Sequence, residues 1–149
     1  MTEIIPPTTK WAALAFNVAK AAHAGQTRRD GVTPYFNHVH KVALQFDDDL
    51  EKAVAYLHDV LEDCPHITVD ILYKYGFPYT VVRTVIALTH YSSEESYENY
   101  IQKIVEYSFV PRLARRIKLA DILANLLDKP TPKQRTKYLR VLPMLVESL

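Results

Sequence analysis

Apolar residues recur every three to four positions along most of this chain, the spacing of amphipathic helices rather than of strands. In residues 8–24, Trp11, Leu14, Ala15, Val18 and Ala22 fall at helical spacing, and Gly25 ends the run. Residues 26–37 are polar, carry Gly31 and Pro34, and read as a loop. A short helix is expected over 38–46. Asp47, Asp48 and Asp49 can cap the next one, which the pattern carries to about Asp63 with Ala53, Val54, Leu57, Val60 and Leu61 as its stripe. Pro65 ends that helix, and Thr68 reads as the cap of a short helix closing at Gly76. Residues 81–89 and 97–107 give two more helical patterns, separated by a polar loop at 92–95. Pro111 can open a helix carrying Leu113, Ala114, Ile117, Ala120, Leu123 and Leu126. Thr131 followed by Pro132 is a cap with a first-turn proline, starting a last helix that reaches Leu145. No segment needs a strand, and no repeat or linker divides the chain. The expected fold is all-α, a single-domain helical bundle over 1–149.

Composition agrees. The 149 residues suit one domain with a sizeable core, and 48% hydrophobic with 23% charged residues is ordinary globular usage. Only 3 glycines argue against a loop-rich all-β fold. The single cysteine, Cys64, excludes an internal disulfide and fits a reducing compartment. Residues 1–7 lack a basic stretch followed by an apolar one, so no signal peptide is expected. No apolar run approaches the roughly 20 residues of a spanning helix. The expected location is the cytoplasm, with no membrane partner. Net charge is +1, but unevenly spread: of 18 Lys and Arg, 9 lie between positions 112 and 140, against 2 of the 17 Asp and Glu. A basic C-terminal third suits a phosphate-bearing ligand, and equally a solvated helix face.

The candidate chemistry begins at His58-Asp59-Val60-Leu61-Glu62-Asp63, four polar residues in an otherwise apolar stretch. His58 and Glu62 are one helical turn apart, as are Asp59 and Asp63. Buried ionisable groups cost several kcal/mol unless compensated. A cation on His58 and Asp59 would compensate, and imidazole with carboxylate suits manganese, iron or zinc. An exposed acidic helix end would read the same way. Lys118-Leu119-Ala120-Asp121 lies mid-way in an apolar helix, with Asn125 one turn on. A buried Asp121 needs a partner, either a cation or an ion pair with Lys118 or Arg115. In the loop, Arg28 and Arg29 can clamp phosphates or stack on a base. His38 could turn inward from the start of its helix, as a ligand or a structural residue.

Taken together these stretches resemble the HD-superfamily hydrolase domain of the RelA/SpoT alarmone enzymes and their small stand-alone relatives, the metazoan SpoT homologues. That pattern has H-x-G-Q-x-R-K-x-G, then P-Y-I-x-H-P, L-L-H-D-x-x-E-D-T and K-L-A-D-x-x-x-N-L. Here they stand as His23-Ala24-Gly25-Gln26-Thr27-Arg28-Arg29-Asp30-Gly31, Pro34-Tyr35-Phe36-Asn37-His38, Tyr56-Leu57-His58-Asp59-Val60-Leu61-Glu62-Asp63-Cys64, and Lys118-Leu119-Ala120-Asp121 with Asn125-Leu126. The four motifs occur in family order over about residues 11–130. The resemblance implies an all-α fold and a divalent metal held by His38, His58, Asp59 and Asp121. It implies that Glu62 and Asp63 position or deprotonate the attacking water. Arg28 would lie against the purine, Asn125 would hold the nucleoside, and Lys118 and Arg29 would neutralise phosphate. The implied reaction releases pyrophosphate from the 3′ position of guanosine tetra- or pentaphosphate (ppGpp, pppGpp), a step of the stringent response.

The chain departs from the pattern at Val39 (proline in the family), Cys64 (threonine) and Ile122 (a basic residue). None of these removes a ligand, though all bear on substrate identity. The expected cofactor is one divalent ion, manganese first, with iron, cobalt or zinc as alternatives. The expected partner is a small-molecule nucleotide rather than nucleic acid. There is no room for a synthetase domain, so alarmone synthesis is not expected. Two rival readings remain: an HD phosphohydrolase for another nucleotide (a deoxynucleotide or phosphorylated dinucleotide), and a non-catalytic nucleotide- or nucleic-acid-binding regulator. His40, His66 and His90 match nothing in the motifs and read as structural or exposed. Tyr97 and Tyr100 read as core and interface.

Overall fold

A computed structural model describes residues 3–91, 93–107 and 111–149. Ser92, part of the loop expected at 92–95, lies outside the described residues. Among those described the regular structure is helical, as the periodicity predicts, in nine segments: α1 (Lys10–Ala22), α2 (Phe36–Ala43), α3 (Asp49–Leu57), α4 (Val60–Asp63), α5 (Val69–Lys74), α6 (Tyr79–Leu88), α7 (Tyr97–Tyr107), α8 (Pro111–Leu126) and α9 (Pro132–Glu147). None of these helices is long and apolar enough to cross a membrane.

The hub is α3. Its residues Ala53, Val54, Ala55, Tyr56 and Leu57 are buried in unbroken succession, the mark of a helix covered on all sides. It packs on α1, α2, α6 and α8, most extensively on α1. Ala12, Ala15 and Ala19 of α1 and Ala53 and Ala55 of α3 are fully buried, and such small side chains let helices approach closely. Phe16, Phe36, Tyr56 and His40 form an aromatic layer beside them, with His40 Nδ1 2.8 Å from the Tyr56 hydroxyl. His40 is thus structural and His66 is exposed, as expected.

Helix ends follow the sequence signals. Thr68 accepts from Ile71 N–H, and Thr131 with Gln134 forms a full capping box before Pro132. Asp48 caps α3 by accepting from Glu51 N–H. Asp49 does something the sequence does not reveal. Its carboxylate accepts from Trp11 N–H (3.2 Å) and Ala12 N–H (2.8 Å), capping α1 from another helix, where Thr9 makes no side-chain cap.

Two differences from the sequence expectation shape the site. The helix expected to run unbroken to Asp63 stops at Leu57; His58 and Asp59 form a turn before α4. The cause is local: His58 Nδ1 donates to Ala55 O at 2.6 Å, inserting a side chain into the backbone ladder. The stretch 26–37 is not a simple polar loop. Arg28 N–H donates to Thr33 O and Tyr35 N–H to Gln26 O, each at 2.8 Å, around a bridge between Thr27 and Pro34. Gly31 takes a positive φ of 71° at the tip, which its lack of a side chain permits.

Burial alone would raise the Asp49 pKa, but bonds from Thr9, Ala12 and Trp11 outweigh it and hold the carboxyl below its ordinary value. Asp49→Ala should therefore cost about 1–2 kcal/mol in urea unfolding at neutral pH. With the folded pKa lowered, this contribution is present above the unfolded carboxyl pKa and lost as pH falls through the folded one. The gap between wild type and variant should shrink correspondingly in acid.

Candidate functional site

The break after α3 delivers His58 and Asp59 to the C-terminal end of the most buried helix, where the helix dipole favours a cation. His38 comes from α2 and Asp121 from α8. One ligand-type atom from each of the four lies within 4.8 Å of the others. His38 Nε2 is 2.7 Å from Asp121 Oδ1 and 4.0 Å from Asp59 Oδ2; His58 Nε2 is 3.1 Å from Asp59 Oδ2 and 3.4 Å from Asp121 Oδ1. Ligand atoms sit about 2.0–2.2 Å from a shared ion, so these separations are compatible with one.

The chemistry of the donors fits too. With Nδ1–H committed to Ala55 O, His58 presents Nε2 as a lone-pair donor, the tautomer a metal needs. That Nε2 is buried and makes no hydrogen bond of good geometry. Among the described residues the group could hold a divalent metal.

The charges are tightly coupled. Burial would raise both carboxyls, but His58 beside Asp59, and Lys118 with His58 beside Asp121, hold them well below the usual carboxylate range. In return the two carboxylates overcome burial and raise the His58 imidazole well above its ordinary value. Lys118 Nζ is 2.8 Å from Asp121 Oδ2, and both are buried. Asp121 therefore pairs with Lys118, one of the ion-pair partners that the sequence left open, and also meets both histidines.

Glu62 and Asp63 lie alongside. Their carboxylate oxygens and one of Asp59 are within 4.8 Å of one another. Burial, then the backbone bond from His90 working against it, leave Glu62 raised; burial and Asp59 raise Asp63. Glu62 Oε1 accepts from His90 N–H at 2.8 Å.

Above these groups opens a cavity of about 220 Å³. Arg28 reaches it from the hairpin, donating to Asn125 Oδ1 at 2.9 Å and pairing with Asp128 at 3.1 Å. Asn125 in turn donates to Asp121 Oδ1 at 3.2 Å. The structure thus joins Arg28, Asn125 and Lys118 with His38, Asp59 and Asp121 at one cavity, while His58 is buried beside them. Arg29 is not among them: it lies on a neighbouring depression of about 350 Å³, exposed, with Nη2 3.4 Å from Asp128 O.

Several lining residues escaped the sequence reading. His90, expected to be structural or exposed, walls the cavity, its ring stacked on Tyr100 at 4.7 Å. Tyr97 and Tyr100 also face the cavity and carry the Lys118 ammonium 5.6 and 5.1 Å from their ring centres. Lys137 of α9 lines it with its ammonium 4.6 Å from the Tyr97 ring and 4.8 Å from that of Tyr138. Lys137 belongs to the basic C-terminal third, but nothing local separates it from Lys133 or Arg140.

No protein-family model matches the chain, and no curated protein matches it. Among solved structures it is similar to that of a metazoan orthologue of SpoT, described as hydrolysing ppGpp and playing a role in starvation responses. The TM-score is 0.73 at 26% identity, over 95% of this chain and 86% of that one. The chain thus shares its all-helical fold with the structure of this SpoT orthologue.

Proposed function

We propose that this protein is a metal-dependent hydrolase of guanosine tetra- and pentaphosphate, acting in the cytoplasm to end the alarmone signal of the stringent response. The observation that carries this reading is the buried group His38, His58, Asp59 and Asp121, flanked by Glu62 and Asp63 and facing a cavity with cationic walls. A likeness to a ppGpp hydrolase over nearly the whole chain supports it.

The four residues would hold the cation, and two imidazoles with two carboxylates suit manganese, iron, cobalt or zinc, manganese being the favoured ion. Such an ion supplies Lewis acidity toward phosphoryl oxygen and lowers the pKa of water. Glu62 and Asp63 steer the attacking water and accept its proton. Arg28 and Asn125 hold the nucleoside, the Arg28 guanidinium stacking on the purine while Asn125 and Asp128 hold its N–H groups. Lys118 and Lys137 neutralise phosphate charge in the cavity, while Arg29 meets whatever extends into the neighbouring depression.

The decisive experiment incubates purified protein with manganese and guanosine tetraphosphate and separates the products by ion exchange. Guanosine diphosphate and pyrophosphate are expected. Orthophosphate alone, or faster cleavage of a deoxynucleotide, would move the substrate to the rival HD chemistry. No cleavage of any nucleotide with manganese, iron, cobalt or zinc would leave a binding protein.

Glu62→Ala should retain manganese and lose about a hundred- to ten-thousand-fold in turnover. Wild-type turnover in that variant would reassign Glu62 to holding the His90 backbone.

Metal uptake needs the lone pair on His58 Nε2, so protons compete with the ion for that atom. Calorimetry in buffers of different ionisation enthalpy should register proton release at acid pH, and affinity should weaken as pH drops. Binding insensitive to pH would exclude His58 as a ligand.

Arg28→Ala and Lys137→Ala should each raise KM more than they lower kcat, the pattern of binding common to ground and transition states. A pure kcat defect in steady-state assays would contradict both assignments.

A further inference from the structure

Tyr35 stands where three parts of the site meet. Its hydroxyl donates to Asp59 Oδ2 at 2.6 Å, and Asp63 lies within reach of the same hydroxyl. The Arg28 guanidinium carbon sits 5.5 Å from its ring centre. Its ring also neighbours those of His23, at 4.9 Å, and His38, at 5.7 Å.

The residue is held from behind. Tyr35 N–H donates to Gln26 O. The Gln26 side chain accepts from His23 Nδ1 at 2.7 Å and donates to Asp63 O at 3.0 Å. Tyr35, His23, Gln26 and Asp63 therefore close a ring of contacts around the back of the site. Burial, with Asp59 beside it, keeps the phenol neutral, so its proton stays available to donate.

Asp59 Oδ2 is the same oxygen that lies 3.1 Å from His58 Nε2 and 4.0 Å from His38 Nε2. A hydroxyl bonded to a ligating carboxylate fixes its rotamer, and losing such a partner typically costs about 10- to 100-fold in metal affinity. The other side of the ring carries the guanidinium assigned to the nucleoside. One rigid aromatic thus touches both ligands' binding groups.

We propose that Tyr35 is a positioning residue that couples nucleotide binding at Arg28 to cation binding at Asp59. The inference rests on the metal-hydrolase reading above. Because such coupling is reciprocal, a cation held through Asp59 strengthens the nucleotide's grip through Arg28, and the nucleotide strengthens the cation's.

The test separates hydroxyl from ring. Manganese affinity is measured without nucleotide, by the spin-resonance signal of the free ion, for wild type, Tyr35→Phe and Tyr35→Leu. Melting temperatures of the metal-free proteins are compared alongside. Tyr35→Phe should weaken manganese binding about 10- to 100-fold with little change in metal-free melting temperature, a split that a merely structural role would not give. At saturating manganese, KM for guanosine tetraphosphate should rise more in Tyr35→Leu than in Tyr35→Phe, since only the former loses the surface under Arg28. Combining Tyr35→Leu with Arg28→Ala should raise KM by less than the product of the single effects, as for residues in contact. Wild-type manganese affinity in Tyr35→Phe, or multiplicative effects of the two substitutions, would overturn the proposal. A wild-type protein that takes up no manganese would overturn the metal-hydrolase reading and this inference with it, and would show before any variant is made.

Discussion

Two carboxylates can share a buried corner only if positive charge stands between or beside them. Asp59 and Asp121 meet in such a corner, and the rest of the molecule is organised to make that tolerable. Lys118 pairs with Asp121 one turn away while still lining the cavity, and His58 reaches both acids. Helices α2, α3 and α8 converge there because each has an apolar face on the same core. Removing one compensating charge would leave the others buried and unpaired, a loss of about 3–5 kcal/mol in comparable sites. A divalent cation would relieve the same stress from the centre of the group.

Rigidity and access are divided between different parts of the chain. The ligand side is built on α3, enclosed by neighbours and closed off by the His58 bond to Ala55. The opposite wall comes from α7 and α9, where Tyr97, Lys137 and Tyr138 meet through ring and cation contacts rather than deep burial. Precise placement of side-chain atoms needs the first arrangement, and admission of a ligand needs the second.

Most of the helical plan was legible because helices announce themselves locally, through apolar spacing and caps. The pattern over 97–107 coincides with α7, and Thr68, Pro111 and Thr131 mark real helix starts. The motif residues were legible because His, Asp and Glu amid apolar neighbours demand explanation. The interruption at His58 was not, since a side chain bonding its own backbone leaves the i, i+4 spacing unchanged. Asp49 could be read as a cap but not as the cap of another helix. Lys137, Tyr97 and His90 reach the cavity only through packing between distant segments, information that no local window carries. Arg29 shows the converse: both adjacent arginines of the hairpin reach Asp128, yet only Arg28 also lines the cavity.

The hairpin also dictates where this chain can gain or lose residues. Positions 29–32 lie beyond the Arg28–Thr33 bond and the Thr27–Pro34 bridge, so a longer or shorter tip leaves the register of Arg28 and Tyr35 intact. Between Tyr35 and His38 the tolerance vanishes. The backbone enters α2 at Phe36, and one inserted residue would turn His38 by about 100° around the helix axis, carrying its imidazole away from Asp121. Related chains aligned to this one should therefore vary in length at the tip and hold the spacing from tyrosine to histidine fixed, whatever their overall identity.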